Sequence, residues 1–567
     1  MSHPVAQSES SPPSAPELTL VEAVAATAAA IPDRVLIVQG DRRVTYAQIA
    51  ERSTRLAAYL HSRGLGARVE RPGLASHEVG QDLLGIYAYN GNEYLEGIVG
   101  ALGARVAPFN INYRYVQNEL RYLLADAGAS ALIYHAEFAP QVAEVLTELP
   151  DLRVLIQISD DSGNELLPGA VDYEEAIASV AADPQLPRPS ADDLIVLYTG
   201  GTTGMPKGVL WRQHDVFMAA CGGRNAVSGH EVATSHESIG EQAAANPGVK
   251  IMILPPLIHG AAQWATLSAL TLGQTVVFSA VVDHLDAEEV ARTIERERVS
   301  VLVVVGDAMA RPVLDAIRST GADVSSLVLL ATGDATMSPH VKQRWIEAVP
   351  GLVVLDAVAS SETGIVLNHM STAGSVSTGT FTPGADTTVV AEDFGAVLAP
   401  GHDGIGWLAQ RRNTPLGYKG DAAKTASTFP VIDGVRYAVP GDRARHLADG
   451  TIELLGRDAV TINSGGEKIF AEEVELAIAS HPAVSDVLVV GRPSERWGQE
   501  VVAIVELLDP EAADAETLIA HAAESIARYK LPKAVAICPE IARSPAGKAD
   551  YRWAREQALA AGRAETM

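Results

Sequence analysis

The sequence predicts an α/β fold, with a large N-terminal unit of stacked α/β subdomains and a smaller α+β unit at the C-terminal end. Short apolar runs alternate with helical spacing through the middle of the chain, as in β-α units built around a largely parallel sheet. A length of 567 residues gives a prior of about three to four domains or subdomains, enough to bury a large core. A glycine-rich loop directly follows one apolar run. It therefore lies at the carboxyl end of a strand, where open α/β sheets bind ligands.

Taken in order, residues 1–16 are rich in Ser, Pro and Ala and read as a disordered tail. Helical spacing starts at Leu18 and is clearest at Tyr46, Ile49, Ser53, Leu56 and Leu60; another helical stretch runs from Asn92 to Gly103. The connector from Pro184 to Pro189 closes this first subdomain. Strands are expected at Leu194–Leu197, Ile251–Leu254, Thr275–Phe278, Val301–Val305, Leu327–Leu330 and Leu352–Leu355, with helical stretches at Ala287–Arg298 and Val313–Arg318. The polar segment from Gly222 to Gly248 fits neither period and reads as a long surface excursion. In the C-terminal part, helices are expected at Glu472–Ala479 and Glu516–Ala527, and strands at Val487–Val490, Val501–Val505 and Ala534–Ile537.

Composition excludes several classes. A net charge of −27 offers no basic field to displace counterions from phosphates, so nucleic acid is not an expected partner. Any anionic ligand must instead be held by local cations and backbone N–H groups. No apolar run reaches the roughly 20 residues of a membrane span, and the start lacks a basic region followed by an apolar one; a cytoplasmic location is expected. Cys221 and Cys538 are too few for a disulfide framework and lack metal-ligand spacing.

The loop itself is Tyr198-Thr-Gly-Gly-Thr-Thr-Gly-Met-Pro-Lys-Gly208. Gly200, Gly201, Gly204 and Gly208 let main-chain N–H groups approach an anion, Thr199, Thr202 and Thr203 add hydroxyl donors, and Lys207 adds a compact charge. This is the chemistry of a phosphate cradle. A Walker A loop is ruled out because Gly208 stands where that motif needs Ser or Thr.

The run YTGGTTGMPKGV resembles the phosphate-loop signature of the adenylate-forming superfamily, which includes acyl-CoA synthetases, peptide-synthetase adenylation domains and firefly luciferase. Further motifs in the expected order extend the resemblance over nearly the whole chain. Gly333-Asp334-Ala335 resembles the turn that contacts adenine, and Ser360-Ser361-Glu362-Thr-Gly resembles the segment whose glutamate binds Mg²⁺, which implies Glu362 as metal ligand. His259 follows a Pro-Leu pair as in the superfamily's acyl pocket, with Gly260, Ala261, Ala262 and Trp264 as implied lining. Asp442 is the implied ribose acceptor and Arg457 a ribose or phosphate contact. The resemblance divides the chain at the Gly-Arg motif into a large AMP-binding domain, residues 17–455, and a small mobile domain, residues 456–567. In the latter, Ser464, Gly465, Gly466 and Lys468 are implied to line a pantetheine tunnel, with Trp497 nearby, and Lys548 in a closing Ser-x-x-Gly-Lys motif is implied to bind the carboxylate and α-phosphate.

There are departures. Val358 and Ala359 stand where relatives carry an aromatic and Gly, so the usual stacking surface for adenine is missing; Val358 is the implied neighbour of the base. Pro440 replaces a usual Thr, and Ala459 occupies the usual pivot position.

The resemblance implies an acyl-CoA ligase using ATP, Mg²⁺ and coenzyme A. Lys207, Glu362 and Lys548 would stabilise charge on the phosphoryl oxygens as a carboxylate becomes acyl-AMP. The runs Asn110-Ile-Asn-Tyr-Arg-Tyr115 and Met205-Pro-Lys-Gly-Val-Leu-Trp-Arg-Gln213 are most similar to actinobacterial synthetases for steroid or other bulky acids, so the expected substrate is a large hydrophobic fatty, steroid or terpenoid acid. Three alternatives stay open: a thioester-forming enzyme impaired in adenylation, an enzyme that loads a carrier protein, and a noncatalytic binding protein. A homodimer is also left open.

Overall fold

The computed structural model describes residues 17–181, 185–199, 205–224, 232–333, 335, 337–376, 379–457, 460–464, 467–494, 497–543 and 549–564. The tail 1–16 expected to be disordered lies outside them.

Three sheets organise the described residues, with sixteen, eight and five strands. In the largest, the strands Val35–Gln39, Thr275–Phe278, Lys250–Ile253, Val301–Val304, Leu329–Thr332 and Val353–Ser360 run parallel, each beside the next. The helices Gly260–Thr271, Ala287–Glu297, Gly306–Thr320 and Pro339–Ala348 connect them. Asp286 caps Ala287–Glu297 through the Glu289 N–H, and Arg298 ends it in the left-handed conformation. The alternating apolar runs are therefore β-α units.

From Val353–Ser360 onward the same sheet turns antiparallel, continuing through Gly364–Ser371, Thr380–Pro383, Ile452–Arg457, Asp442–His446 and Gly406–Arg411. None of these strands was expected from the sequence. Some of them bury polar side chains, which breaks the apolar run: Asp442–His446 reads Asp-Arg-Ala-Arg-His, with Asp442 and Arg443 both buried.

The eight-stranded sheet carries the glycine-rich loop. Leu83–Tyr87, Ala107–Asn110, Ala129–His135, Val154–Ile158 and Leu194–Thr199 run parallel, and most are buried along their whole length. The helix Asn92–Gly103 is buried all round between this sheet and the helix Tyr46–Ser62. Gly100 permits that approach, since a Cβ there would lie 2.9 Å from Leu56 Cδ2.

The five-stranded sheet spans Ile462–Ser464 to Ala534–Cys538 and has its own apolar core around Val474, Ile478, Val489, Ala503 and Val505. Its helix Ala471–Ala479 packs on the strand Ile452–Arg457 of the largest sheet. The chain thus has a large mixed α/β unit and a small C-terminal one.

The described part of the segment from Gly222 to Gly248 is more ordered than its composition suggests. It contains the helix His236–Ala245, capped by Ser235 and packed on Leu20–Ala30. Only Ile239 and Ala243 of this helix are buried, which leaves too weak a periodic signal to read. Cys221 is buried and Cys538 partly so, and neither is in a disulfide.

Candidate active site

Leu194–Thr199 and Lys207–Arg212 form a hairpin whose open end is the glycine-rich loop, with Thr199 opposite Lys207. Gly200, Gly201, Thr202, Thr203 and Gly204 lie outside the described residues. Lys207 forms an ion pair with Asp421, and that ammonium, by hydrogen bond and charge, holds the Asp421 carboxyl below the usual carboxylate range. Burial, and then Asp126, raises the Tyr198 phenol, which donates to Asp126 Oδ2 at 2.6 Å. Lys419 Nζ donates to the Asp126 carbonyl at 2.6 Å. The base of the loop is thereby tied to the helix Gln117–Ala127.

Asn110 ties the loop to the segment carrying His259. Its side-chain carbonyl accepts the Tyr198 N–H at 2.8 Å, while its amide donates to the Tyr198 carbonyl at 2.8 Å and to the Ile258 carbonyl at 2.6 Å. His259 is the N-cap position of Gly260–Thr271, and its backbone N–H donates to the Pro256 carbonyl. His259, Gly260 and Ala261 are half-buried at this helix start. Trp264 is buried edge-on to Trp211 with ring centroids 6.3 Å apart, and the space beside Gly260 is filled by Leu197.

Glu362 sits on the turn between Val353–Ser360 and Gly364–Ser371. Trp211 Nε1 donates to the Ser361 carbonyl at 2.8 Å, and the Ser360 carbonyl accepts the Thr363 N–H, so the turn is held from the loop hairpin and from within. The Tyr418 hydroxyl donates to Glu362 Oε1 at 2.6 Å; burial, then the Glu362 charge, raises the Tyr418 phenol and keeps it a donor. Val358 is partly buried against the cluster of Val366, Leu367 and Phe381. Gly333 approaches the same strand, where a Cβ would lie 3.1 Å from the Ala357 carbonyl, and Ala335 donates its N–H to the Gly333 carbonyl. Asp334 lies outside the described residues.

Asp442 and Arg457 are cross-strand partners, with Arg457 Nε donating to Asp442 Oδ1 at 3.3 Å. The Asp442 charge, and then that of Glu362, raises the Arg457 guanidinium against the opposing effect of burial. Beyond it, the Arg457 N–H donates to Glu472 Oε1 at 3.1 Å, and burial raises the Glu472 carboxyl. In the small unit, Ser464 pairs with Gly498, next to the exposed Trp497. Lys468 lies in the strand Glu467–Ile469. Gly465, Gly466, Ala459 and Lys548 lie outside the described residues.

Lys207 and Glu362 are thus linked, and Asp442 and Arg457 linked separately, by contacts that also involve Tyr418, Asp421 and Glu472. The last three carried no signal, since a lone Tyr, Asp or Glu in a polar turn or helix start reads as ordinary surface. Asp421 shows one local sign, capping the helix Ala422–Thr428 through the Lys424 N–H.

Residues 24–418 match the family described as AMP-binding enzyme, and residues 473–548 match the AMP-binding enzyme C-terminal domain. The chain belongs to the AMP-binding enzyme family. Among its relatives, the medium-chain acyl-CoA ligase Mig of Mycobacterium avium is 70% identical over 95% of this chain and 98% of its own length. The 3-oxocholest-4-en-26-oate–CoA ligase of Rhodococcus rhodochrous is 41% identical over 93% of each chain. The fold of this AMP-binding enzyme is that of the anthranilate CoA ligase AuaEII in complex with anthranoyl-AMP, with a TM-score of 0.80, 20% identity and coverage of 96% and 98% of the two chains.

No group of three His, Cys, Asp or Glu that could enclose a metal occurs among the described residues. A lone Glu362 suits Mg²⁺, which keeps several waters and takes most of its other ligands from nucleotide phosphates. No helix is long and apolar enough to cross a membrane.

Proposed function

We propose that this protein is an AMP-forming acyl-CoA ligase acting on apolar carboxylic acids, with medium-chain fatty acids first and bulky steroid-type acids second. The observation that carries this is the 70% identity to the M. avium medium-chain ligase over nearly the full length of both chains. The steroid-type acids rest on the R. rhodochrous relative.

A carboxylate is a poor acyl donor because its leaving group would be oxide. In the first half-reaction a carboxylate oxygen attacks the α-phosphorus of ATP and pyrophosphate leaves; in the second the CoA thiolate attacks the acyl carbon and AMP leaves. Charge grows on phosphoryl oxygens, so fixed cations and N–H groups are what the first step needs. Lys207 is assigned to the β- and γ-phosphate side, Glu362 to the cation, Asp442 to the ribose hydroxyls with Arg457 beside it, and Lys548 to the α-phosphate and substrate carboxylate. Bound Mg²⁺ supplies neutralisation of phosphate charge. Ser464, Gly465, Gly466, Lys468 and Trp497 are assigned to the CoA arm, and His259 to Ala261 to the acyl group. Residues 456–567 are taken as the unit that rotates between the two half-reactions, and the compartment as the cytoplasm.

The test is mass spectrometry of products from a panel of acids supplied with ATP, Mg²⁺ and CoA. Acyl-CoA and AMP from medium-chain acids are expected. Product from preformed acyl-AMP and CoA but none from acid and ATP would favour a thioester-forming enzyme without adenylation, a second reading that Val358 supports by removing a flat contact for adenine.

A further inference from the structure

The stretch Tyr418-Lys-Gly-Asp421 joins the two halves of the site. Tyr418 lies on the two-residue strand Gly417–Tyr418, opposite Val209 of the loop hairpin, and three residues later Asp421 holds Lys207. Its backbone is fixed on every side: the Tyr418 N–H donates to Thr425 Oγ1 at 2.9 Å, the Lys419 N–H to the Gly208 carbonyl and the Gly420 N–H to the His77 carbonyl. The ring is 4% exposed, packed at 6.1 Å from Phe429 with the Lys424 ammonium 4.6 Å from its centroid. The fold gives this hydroxyl a 2.6 Å hydrogen bond to Glu362 Oε1, with the Thr428 side chain as a second polar neighbour. Among the described residues, the other carboxylate oxygen of Glu362 accepts no hydrogen bond.

We propose that Tyr418 is a positioning residue: its hydroxyl, carried on the strand paired with the phosphate-loop hairpin, fixes the Glu362 carboxylate and leaves one oxygen for the cation that accompanies the nucleotide. This rests on the assignment of Glu362 to Mg²⁺. A hydrogen bond from a neutral donor to a carboxylate removes one rotational freedom of that group before the cation arrives, which lowers the cost of ordering it. Tyr418 contacts the ligand side only through Glu362.

The experiment is calorimetric titration of ATP into wild type, Y418F, E362Q and the double variant, across a series of MgCl₂ concentrations and in EDTA, without acid or CoA. Y418F is expected to raise the Mg²⁺ concentration for half-maximal tightening of ATP binding by about tenfold, the scale of one hydrogen bond to a charged group. ATP binding in EDTA should match wild type, and the double variant should match E362Q. An E362Q response equal to wild type would remove the metal assignment and this proposal with it. A shifted E362Q beside an unshifted Y418F would overturn the proposal while leaving the metal assignment standing. Loss of ATP binding by Y418F in EDTA would show that the hydroxyl supports the fold, and would overturn it too.

Discussion

Asn110 is buried, and its amide satisfies the Tyr198 N–H, the Tyr198 carbonyl and the Ile258 carbonyl. Asn110→Ala would leave those three backbone groups without their partner, and a loss of about 2–4 kcal/mol in urea unfolding is expected. Lys207→Ala should leave the circular dichroism unchanged, because Lys207 is partly exposed and Asp421 keeps its helix-capping hydrogen bond and access to water. Pyrophosphate release at low ATP should fall by about 10²-fold or more; a rate equal to wild type would remove Lys207 from the site. The two residues differ in how far sequence reveals them. Lys207 stands in a motif whose neighbours announce anion binding, whereas the partners of Asn110 are 88 and 148 residues away in sequence. Tyr418 and Asp421 were hidden for the same reason.

Among the elements, the join between the large sheet and the C-terminal unit is made by Gly456 and Glu472. Gly456 has φ +110°, and a Cβ there would lie 2.2 Å from Glu472 Oε2, so the carboxylate occupies the space that a side chain would take. Gly456→Ala is expected to strain the backbone and expel Glu472 from the Arg457 N–H. The measurement is limited proteolysis at this junction, which should be several-fold faster than in wild type; an unchanged rate would contradict the clasp. Glu472 was not legible as a partner of Gly456, because at a helix start it looks like a favourable charge on the helix dipole. The parallel strands from Leu194 onward were legible as short continuous apolar runs, as in the fully buried Thr275–Phe278, whereas Val35–Gln39, Leu83–Tyr87, Ala107–Asn110, Ala129–His135 and Val154–Ile158 were not singled out. The antiparallel extension was not: Gly406–Arg411 is largely buried, yet the buried Gln410 cuts its apolar run to Trp407, Leu408 and Ala409.

For the whole molecule, the charge of −27 and the carboxylates enclosed in the C-terminal unit make stability depend on pH. Burial, and then Glu472, pushes the Glu475 carboxyl up to about 8, while the Val489 N–H donates to Glu475 Oε1 at 2.8 Å. A raised folded-state value means that the folded chain keeps a proton which the unfolded chain has lost. Stability from this group is therefore complete below the unfolded carboxyl range and declines as pH rises toward about 8, by up to about 1.4 kcal/mol per pH unit. Glu475→Gln should flatten the fall in melting temperature between pH 5 and pH 8, and an unchanged slope would show that the carboxyl is not held neutral. The overall architecture was legible because its repeating β-α units span hundreds of residues. Acyl-AMP is the proposed link between acid and thioester. The enzyme is supplied with a medium-chain acid labelled with ¹⁸O in its carboxylate, together with ATP, Mg²⁺ and CoA, and the nucleotide product is weighed by mass spectrometry. Transfer of one ¹⁸O into AMP is predicted; acyl-CoA formed with unlabelled AMP, or with ADP and labelled phosphate, would contradict it.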